Sequence, residues 1–144
     1  MTIRKQRSKQ ADLSGFEKLL GLVEKKSRSA YRIAASIDER SKNRLGFTHA
    51  GFITAMLDQA MTNAVNADLG DDRVGVMMEM QTHFFRPVPN IEVMAEGQVI
   101  NLAPKLAVAE AYLRDKKDVV YAKSTGTFAL QNNDHVASRL KRIK

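Results

Sequence analysis

Apolar residues along this chain follow two rhythms. Between Ser14 and Val23, and again between Thr48 and Val65, they return every three or four residues, the spacing of a helix face. From Val74 to Leu130 they alternate with polar ones, the spacing of strands that are wet on one side. Ser14-Gly-Phe-Glu17 makes a capping box, and Phe16, Leu19, Leu20 and Val23 follow at helical spacing. This predicts a short N-terminal helix over about 14–25, its apolar stripe turned to the body of the fold. Gly21 weakens it slightly. Tyr31, Ile33, Ala35 and Ile37 alternate with polar or small residues and predict a first strand.

The stretch Asn43 to Met61, N-R-L-G-F-T-H-A-G-F-I-T-A-M-L-D-Q-A-M, organises the rest. It begins as a loop, offers Thr48 as a helix N-cap, and continues as a helix that is apolar on most sides. Phe52, Ile53, Ala55, Met56, Leu57, Ala60, Met61, Ala64 and Val65 leave little wet surface, so this helix should be buried. Yet Asp58 sits in its middle. A carboxylate gives up water only when it is paired, shifted in pKa or put to use. Asp58 belongs either to a solvated stripe with Gln59, Thr62 and Asn63, or to an apolar cleft as a base or nucleophile.

Asn66 to Arg73, with Asp68, Gly70, Asp71 and Asp72, reads as a turn. Val74–Phe85 is the next strand, with Val76, Met78, Met80, Thr82 and Phe84 on one face and Met77, Glu79, Gln81, His83 and Phe85 on the other. Pro87 and Pro89 end it, since neither can donate to a ladder. Ile91–Leu102, Leu106–Arg114 and Val119–Leu130 follow, separated by turns at Pro104-Lys105 and Asp115–Asp118. Strands joined by short turns predict an antiparallel meander, one face of which covers the long helix.

Composition fits one globular domain over 1–144, with 44% apolar residues. No cysteine means no disulfide and no thiolate metal site, which fits a reducing cytoplasm. The charge-free run Leu45–Leu57 is too short to span a bilayer. Arg4, Lys5, Arg7 and Lys9 have no apolar run behind them, so they do not open a secretory signal. The net charge of +7 points first to nucleic acid or a membrane surface. Its distribution argues otherwise. Four basic residues lie in 1–10 and four more, Arg139, Lys141, Arg142 and Lys144, in 135–144, which leaves residues 11–134 at −1. The excess sits on two basic tails, 1–12 and 132–144, expected to be mobile. No aromatic residues interleave with it, as a stacking nucleic-acid surface needs. His49, His83 and His135 are too scattered for a zinc site. Met56, Met61, Met77, Met78 and Met80 suit a core or an adaptable acyl pocket.

The pattern N-x-x-G-x-x-H-[GA]-G-x-x-x-x-x-x-D is present as Asn43, Gly46, His49, Ala50, Gly51 and Asp58. Phe85-Arg-Pro-Val-Pro89, Ala107–Asp115 and Ala122–Phe128 follow in order. In these segments the chain resembles the hotdog-fold acyl-CoA thioesterases, especially the phenylacetate-pathway (PaaI-like) type, from about Arg28 to Leu130. The resemblance implies an α+β hotdog fold: a five-stranded antiparallel sheet wrapped around one long central helix. It implies an obligate homodimer, or a dimer of dimers, with active sites between subunits. It also implies acyl-CoA hydrolysis without metal or redox cofactor, coenzyme A entering as part of the substrate. Carried over by position, Asp58 is the base or nucleophile. The Ala50 N–H polarises the thioester carbonyl, and Asn43 lies near the carbonyl or the water.

Physics gives a separate reason for the dimer. Ala50 lies at a helix N-terminus, where free N–H groups and the dipole favour an oxyanion. Asp58 is eight residues on, roughly 12 Å along the axis. One helix cannot bring both to one carbonyl; two antiparallel copies about a two-fold axis can.

Two departures from the family stand out. Alanine replaces the usual glycine at position 50, which keeps the N–H but adds a methyl beside the acyl group. Met77 falls where one branch has a water-holding Ser, and Thr62, at i+4 from Asp58, matches the Thr that another branch uses. His49 and Gly51 line the start of the site, and His49 reads as structural rather than as a general base. Arg86 and Lys105 are the candidates for the CoA phosphates, with Lys116, Lys117 and Lys123 behind them. The rival functions are a non-catalytic acyl-CoA-binding or sensing protein, which Met77 and the basic tails favour, and a hotdog dehydratase or hydratase.

Overall fold

The computed structural model describes residues 13–26, 30–134, 138 and 141. The N-terminal basic tail lies outside the described residues, as do His135 and most of the C-terminal one. The first helix, α1, is Gly15–Leu20, and its capping box is present: Ser14 Oγ accepts the Glu17 N–H while Glu17 accepts the Ser14 N–H. It is shorter than its pattern predicts. Gly21 does more than weaken the helix; at φ 67° it takes the left-handed cap and ends it. Val23–Lys26 is then free to form a strand, β1, which pairs with β2, Tyr31–Ser36. The sheet therefore has six strands rather than five. The predicted apolar stripe also divides. Leu20 is half-buried, but Phe16, Leu19 and Val23 are 60%, 71% and 53% exposed, and the buried side chain is Leu22, outside that stripe.

The long helix α2 is Ala50–Leu69. Its N-cap is His49 rather than Thr48. The Thr48 hydroxyl is instead buried and donates to the Val88 carbonyl at 2.8 Å. At the other end the helix continues through Asn66–Leu69, so the predicted turn shrinks to Gly70 and the residues just after it. Asn66 Oδ1 accepts the Gly75 N–H at 2.8 Å and ties the helix end to the next strand.

That strand, β3, is Arg73–Phe84; β4 is Glu92–Leu102, β5 Leu106–Asp115 and β6 Val120–Asn132. Every pairing is antiparallel, in the order β1-β2-β4-β5-β6-β3. A simple meander is thus found only in β4-β5-β6. β3 does not pair with β4, the next strand in sequence; it lies at the far edge beside β6. Residues 85–91 carry the chain back across the end of the sheet, where Pro87 and Pro89 have no N–H to leave unpaired. Phe85 N–H donates to the Tyr121 carbonyl at 2.8 Å, and Ile37 N–H to the Ile91 carbonyl at 3.0 Å.

The strict alternation expected along β3 also breaks. A bulge between Met77 and Glu79 leaves Met78 unpaired and 68% exposed. Gly75 and Met77 face the helix before the bulge, Met80 and Thr82 after it. Met56, Leu57, Ala60, Met61 and Val65 of α2 are fully buried against the sheet. Each larger apolar side chain among them contributes about 1.5–3 kcal/mol by leaving water. The approach is close because Gly97 has no side chain; a Cβ there would fall inside van der Waals distance of the Ala60 carbonyl. Among the described residues no helix is long and apolar enough to cross a membrane.

Candidate active site

The segment before α2 is a sequence of short local closures. Asp38 caps a single 3-10 turn, Glu39–Ser41. The Ser41 carbonyl then accepts the His49 N–H at 2.7 Å, and Lys42 bridges to Thr48. Between them, Asn43 N–H donates to the Phe47 carbonyl at 2.8 Å, and Gly46 turns the chain at φ 82°. The Asn43 side chain holds this loop from within: its Oδ1 accepts the N–H groups of Leu45, at 2.9 Å, and Phe47, at 3.2 Å. Two backbone donors fix which way the amide points. The oxygen is taken, and Nδ2 remains as a donor.

At the helix start, His49 Nδ1 accepts the Gly51 N–H at 2.8 Å, and the His49 carbonyl accepts those of Phe52 and Ile53 at 3.0 and 3.3 Å. A helix leaves its first four N–H groups without helical partners. Here three of them are bonded locally, and among the described residues only that of Ala50 has no acceptor. Capping fixes the His49 tautomer, with the proton on Nε2, so Nδ1 is not available as a base.

A cleft of about 360 Å³ opens beside this free N–H. Asn43, Phe47, Ala50, Ile53 and residues 84–88 line it. It therefore unites three of the sequence-predicted site residues, Asn43, Ala50 and Arg86. His49 and Gly51 adjoin it through the cap. Asp58 and Thr62 do not line it. They lie further along α2 on its half-buried side, where Thr62 Oγ1 donates to Asp58 Oδ1 at 3.0 Å. Met77 is half-buried on the helix-facing side of β3, packed against the core. Lys105 lies at the opposite end of the sheet from Ala50. Its carbonyl accepts the Leu130 N–H at 3.0 Å, and its neighbour Pro104 accepts Arg73. The aromatic lining, Phe47, Phe84 and Phe85, was not singled out by the sequence pattern. Its signal there is the pair Phe84-Phe85, which puts an apolar residue on both faces of a strand end.

Beyond Arg86, the Tyr121 hydroxyl donates to Asp115 Oδ2 at 3.0 Å. Burial, then this bond, push the Tyr121 phenol up, while the Arg86 charge acts in the opposite sense. The Val119 N–H holds the Asp115 carboxyl below its ordinary value, helped by Tyr121 and the Lys117 N–H.

The model of the thioesterase superfamily (4HBT) matches residues 45–122, more than half of the chain and most of the elements just described. The chain belongs to the thioesterase superfamily. It is a thioester hydrolase with the hotdog fold, and the cleft at the start of α2 is its candidate site. Solved structures share the fold. The conserved protein PA5202 from Pseudomonas aeruginosa is 28% identical, with a TM-score of 0.78 over 83% of this chain and 95% of that one. A mutant of the phenylacetic acid degradation protein PaaI from Thermus thermophilus is 24% identical, with a TM-score of 0.73 over 81% and 98%. The BH2602 protein from Bacillus halodurans, solved with CoA, is 24% identical, with a TM-score of 0.66 over 69% and 70%. No curated protein sequence matches the chain.

Proposed function

We propose that this hydrolase cleaves an acyl-CoA to the free acid and CoA, at a site shared by two copies of the chain. The observation that carries the reading is the single free N–H of Ala50, opening into an apolar cleft at the positive end of α2. A donor so placed is suited to the charge that develops on a thioester oxygen as water adds. Asn43 Nδ2 borders the same cleft as a second donor. The base is Asp58 of the partner copy, oriented by its Thr62 hydroxyl. It takes a proton from water as the oxygen adds to the carbonyl; as the C–S bond breaks it passes that proton to the sulfur, and CoA leaves as the thiol. Water, one carboxylate and fixed donors supply the chemistry, and CoA enters only with the substrate. The likeness to a protein solved with CoA supports that substrate class.

Two features favour the shared site. Within one chain, Asp58 lies outside the Ala50 cleft. In addition, β3 is a twelve-residue edge strand with one side unpaired, and Val76, Met78, Phe84 and Phe85 are exposed along it and just beyond it. Such an edge invites pairing with a second copy. A two-fold axis there sets two α2 helices antiparallel, each start facing the other's middle. Arg86 rims the cleft of its own chain, whereas Lys105 could reach a site only from the partner.

Complementation tests this reading. Ala50→Pro deletes the one free N–H at a position where proline suits a helix, and His49 before it is already extended at ψ 133°. Asp58→Asn deletes the base. Each variant alone should lose about 10²–10³-fold in kcat. Mixed dimers of the two contain one intact site and should regain activity. Inactive mixtures in which heterodimers demonstrably form would sink the shared site, and parental rates for Asp58→Asn would sink the base. Tight acyl-CoA binding without any turnover by the parent would favour the sensing protein instead.

A further inference from the structure

Several charged side chains near the β5–β6 hairpin form ion pairs. Lys25 and Lys116 share Glu92, each at 3.2 Å. Lys123 pairs with Glu110 at 3.0 Å, and Arg114 with Asp118 at 2.9 Å. At the end of the sheet where α2 begins, Arg44, Arg86 and Lys117 stand apart; none of the three forms an ion pair among the described residues. Arg86 and Lys117 belong to one connected piece of structure. Arg86 follows Phe85, whose N–H bonds the Tyr121 carbonyl, and the Tyr121 hydroxyl bonds Asp115, the first residue of the turn that carries Lys117.

That turn is rigid. Asp115 Oδ1 accepts the N–H of Lys117 at 2.8 Å and of Val119 at 3.0 Å, while Oδ2 holds Tyr121. Asp118 completes it with a left-handed φ of 64°. A turn so bonded leaves only the lysine side chain, and not its backbone, to be ordered on binding. The nearby carboxylates are already engaged: Glu92 by two lysines, Asp118 by Arg114, and Asp115 by three donors. Positive charge without an ion pair therefore lies on Arg44 and Arg86, beside the cleft, and on Lys117 on the β5–β6 hairpin, where the Asp115 charge offsets it only in part.

We infer that the β5–β6 hairpin is a phosphate anchor: Lys117, acting with Arg86, holds the phosphates of the CoA nucleotide, so that the pantetheine arm runs from the hairpin past Arg86 into the Ala50 cleft. The inference rests on the acyl-CoA reading above and extends it, because it assigns the nucleotide to this end of the same chain rather than to Lys105 at the other. Charge-assisted contacts to phosphate are the strong class of hydrogen bond. Their loss is expected in binding rather than in the chemical step, since the phosphates are remote from the thioester.

The test compares acyl-CoA, the 3′-dephospho form and acyl-pantetheine, which carries no phosphate. In Lys117→Glu the preference for acyl-CoA over acyl-pantetheine, taken as a ratio of kcat/KM values, should fall at least about tenfold, the equivalent of about 1.4 kcal/mol. The fall should lie in KM. Lys18→Glu on α1 makes the same change in net charge and should leave the ratio alone. If dephosphorylation at the 3′ position removes most of the variant's effect, the 3′-phosphate is the group held; if not, it is the pyrophosphate. A ratio unchanged in Lys117→Glu, or lowered equally by Lys18→Glu, overturns the anchor. Should the parent hydrolyse neither thioester, the hydrolase reading is at fault, and calorimetry with CoA and pantetheine still judges the anchor. Equal CoA affinity in the parent and Lys117→Glu would then refute it, and weaker affinity confined to CoA would support it.

Discussion

The two sides of α2 are built to different ends. The side turned to the sheet is finished within one chain: Met56, Leu57, Ala60 and Met61 are fully buried, and Gly97 admits the helix backbone itself. The other side carries the free Ala50 N–H, Asp58 and Thr62, and one chain leaves it half-open. Stability is thus concentrated where it needs no partner, and the groups that we propose to be reactive lie on the side left half-open. The difference explains why an Asp is tolerated in so apolar a helix. It faces away from the packed side, and its nearest bonded partner is a hydroxyl one turn further on.

Substitutions can separate the two sides. After Ala50→Pro and Asp58→Asn, the largest effect is expected at Asn43. Asn43→Asp keeps the oxygen that closes the loop but loses the Nδ2 donor, so kcat should fall by about 10²-fold with an unchanged melting temperature. Asn43→Ala loses both and should also melt earlier. Equal melting of the two variants would mean that the Leu45 and Phe47 bonds contribute nothing. On the packed side, Gly97→Ala should destabilise by about 3 kcal/mol in denaturant unfolding, because a Cβ meets backbone that cannot move aside. A milder result would show that β4 can slide off the helix.

Thr62→Val should lower kcat about tenfold, as loss of one hydrogen bond to a charged group, with little change in stability. A larger loss of folding than of rate would make Thr62 a packing residue. His49→Ala removes the N-cap and should cost about 1 kcal/mol, most of it restored by His49→Asn. If Asn fails to restore it, the imidazole acts through contacts other than the cap.

The smallest effect is expected at the acid that closes the β5–β6 hairpin. The Asp115 carboxyl is held below its ordinary value, chiefly by the Val119 N–H. Stability from such a group is present above its unfolded value, near 4, and fades as pH falls through the folded one. Acid titration of unfolding should therefore show a slope below about pH 4 that Asp115→Asn reduces. An unaltered slope would assign the acid sensitivity to other carboxylates.

Much of the fold can be read from local chemistry. The 3.6-residue rhythm of Phe52 to Val65 gives the long helix, and alternation gives β4, β5 and β6 nearly to their ends. The capping box at Ser14 marks the start of α1 correctly. What local chemistry misses are events decided by neighbours. Gly21 reads as a weak helix residue until its left-handed cap releases Val23–Lys26 to pair with β2. Met78 reads as one more alternating residue until the bulge on β3, opposite β6, ejects it. Thr48 and His49 are both able to cap α2, and the Val88 carbonyl claims the first.

The site divides along the same line. Residue types and spacing alone determined that an acid lies in an apolar helix eight residues from its start, and that these two groups cannot meet within one chain. Spacing along a helix is fixed by the backbone, so the sequence carries it in full. Only the tertiary structure decided which donor is free, that Phe84 and Phe85 line the cleft, and that Arg86 and Lys105 lie at opposite ends of the sheet. Those depend on β3 crossing to the far edge and on which carbonyls lie within reach, and neither is set by the residues next in sequence.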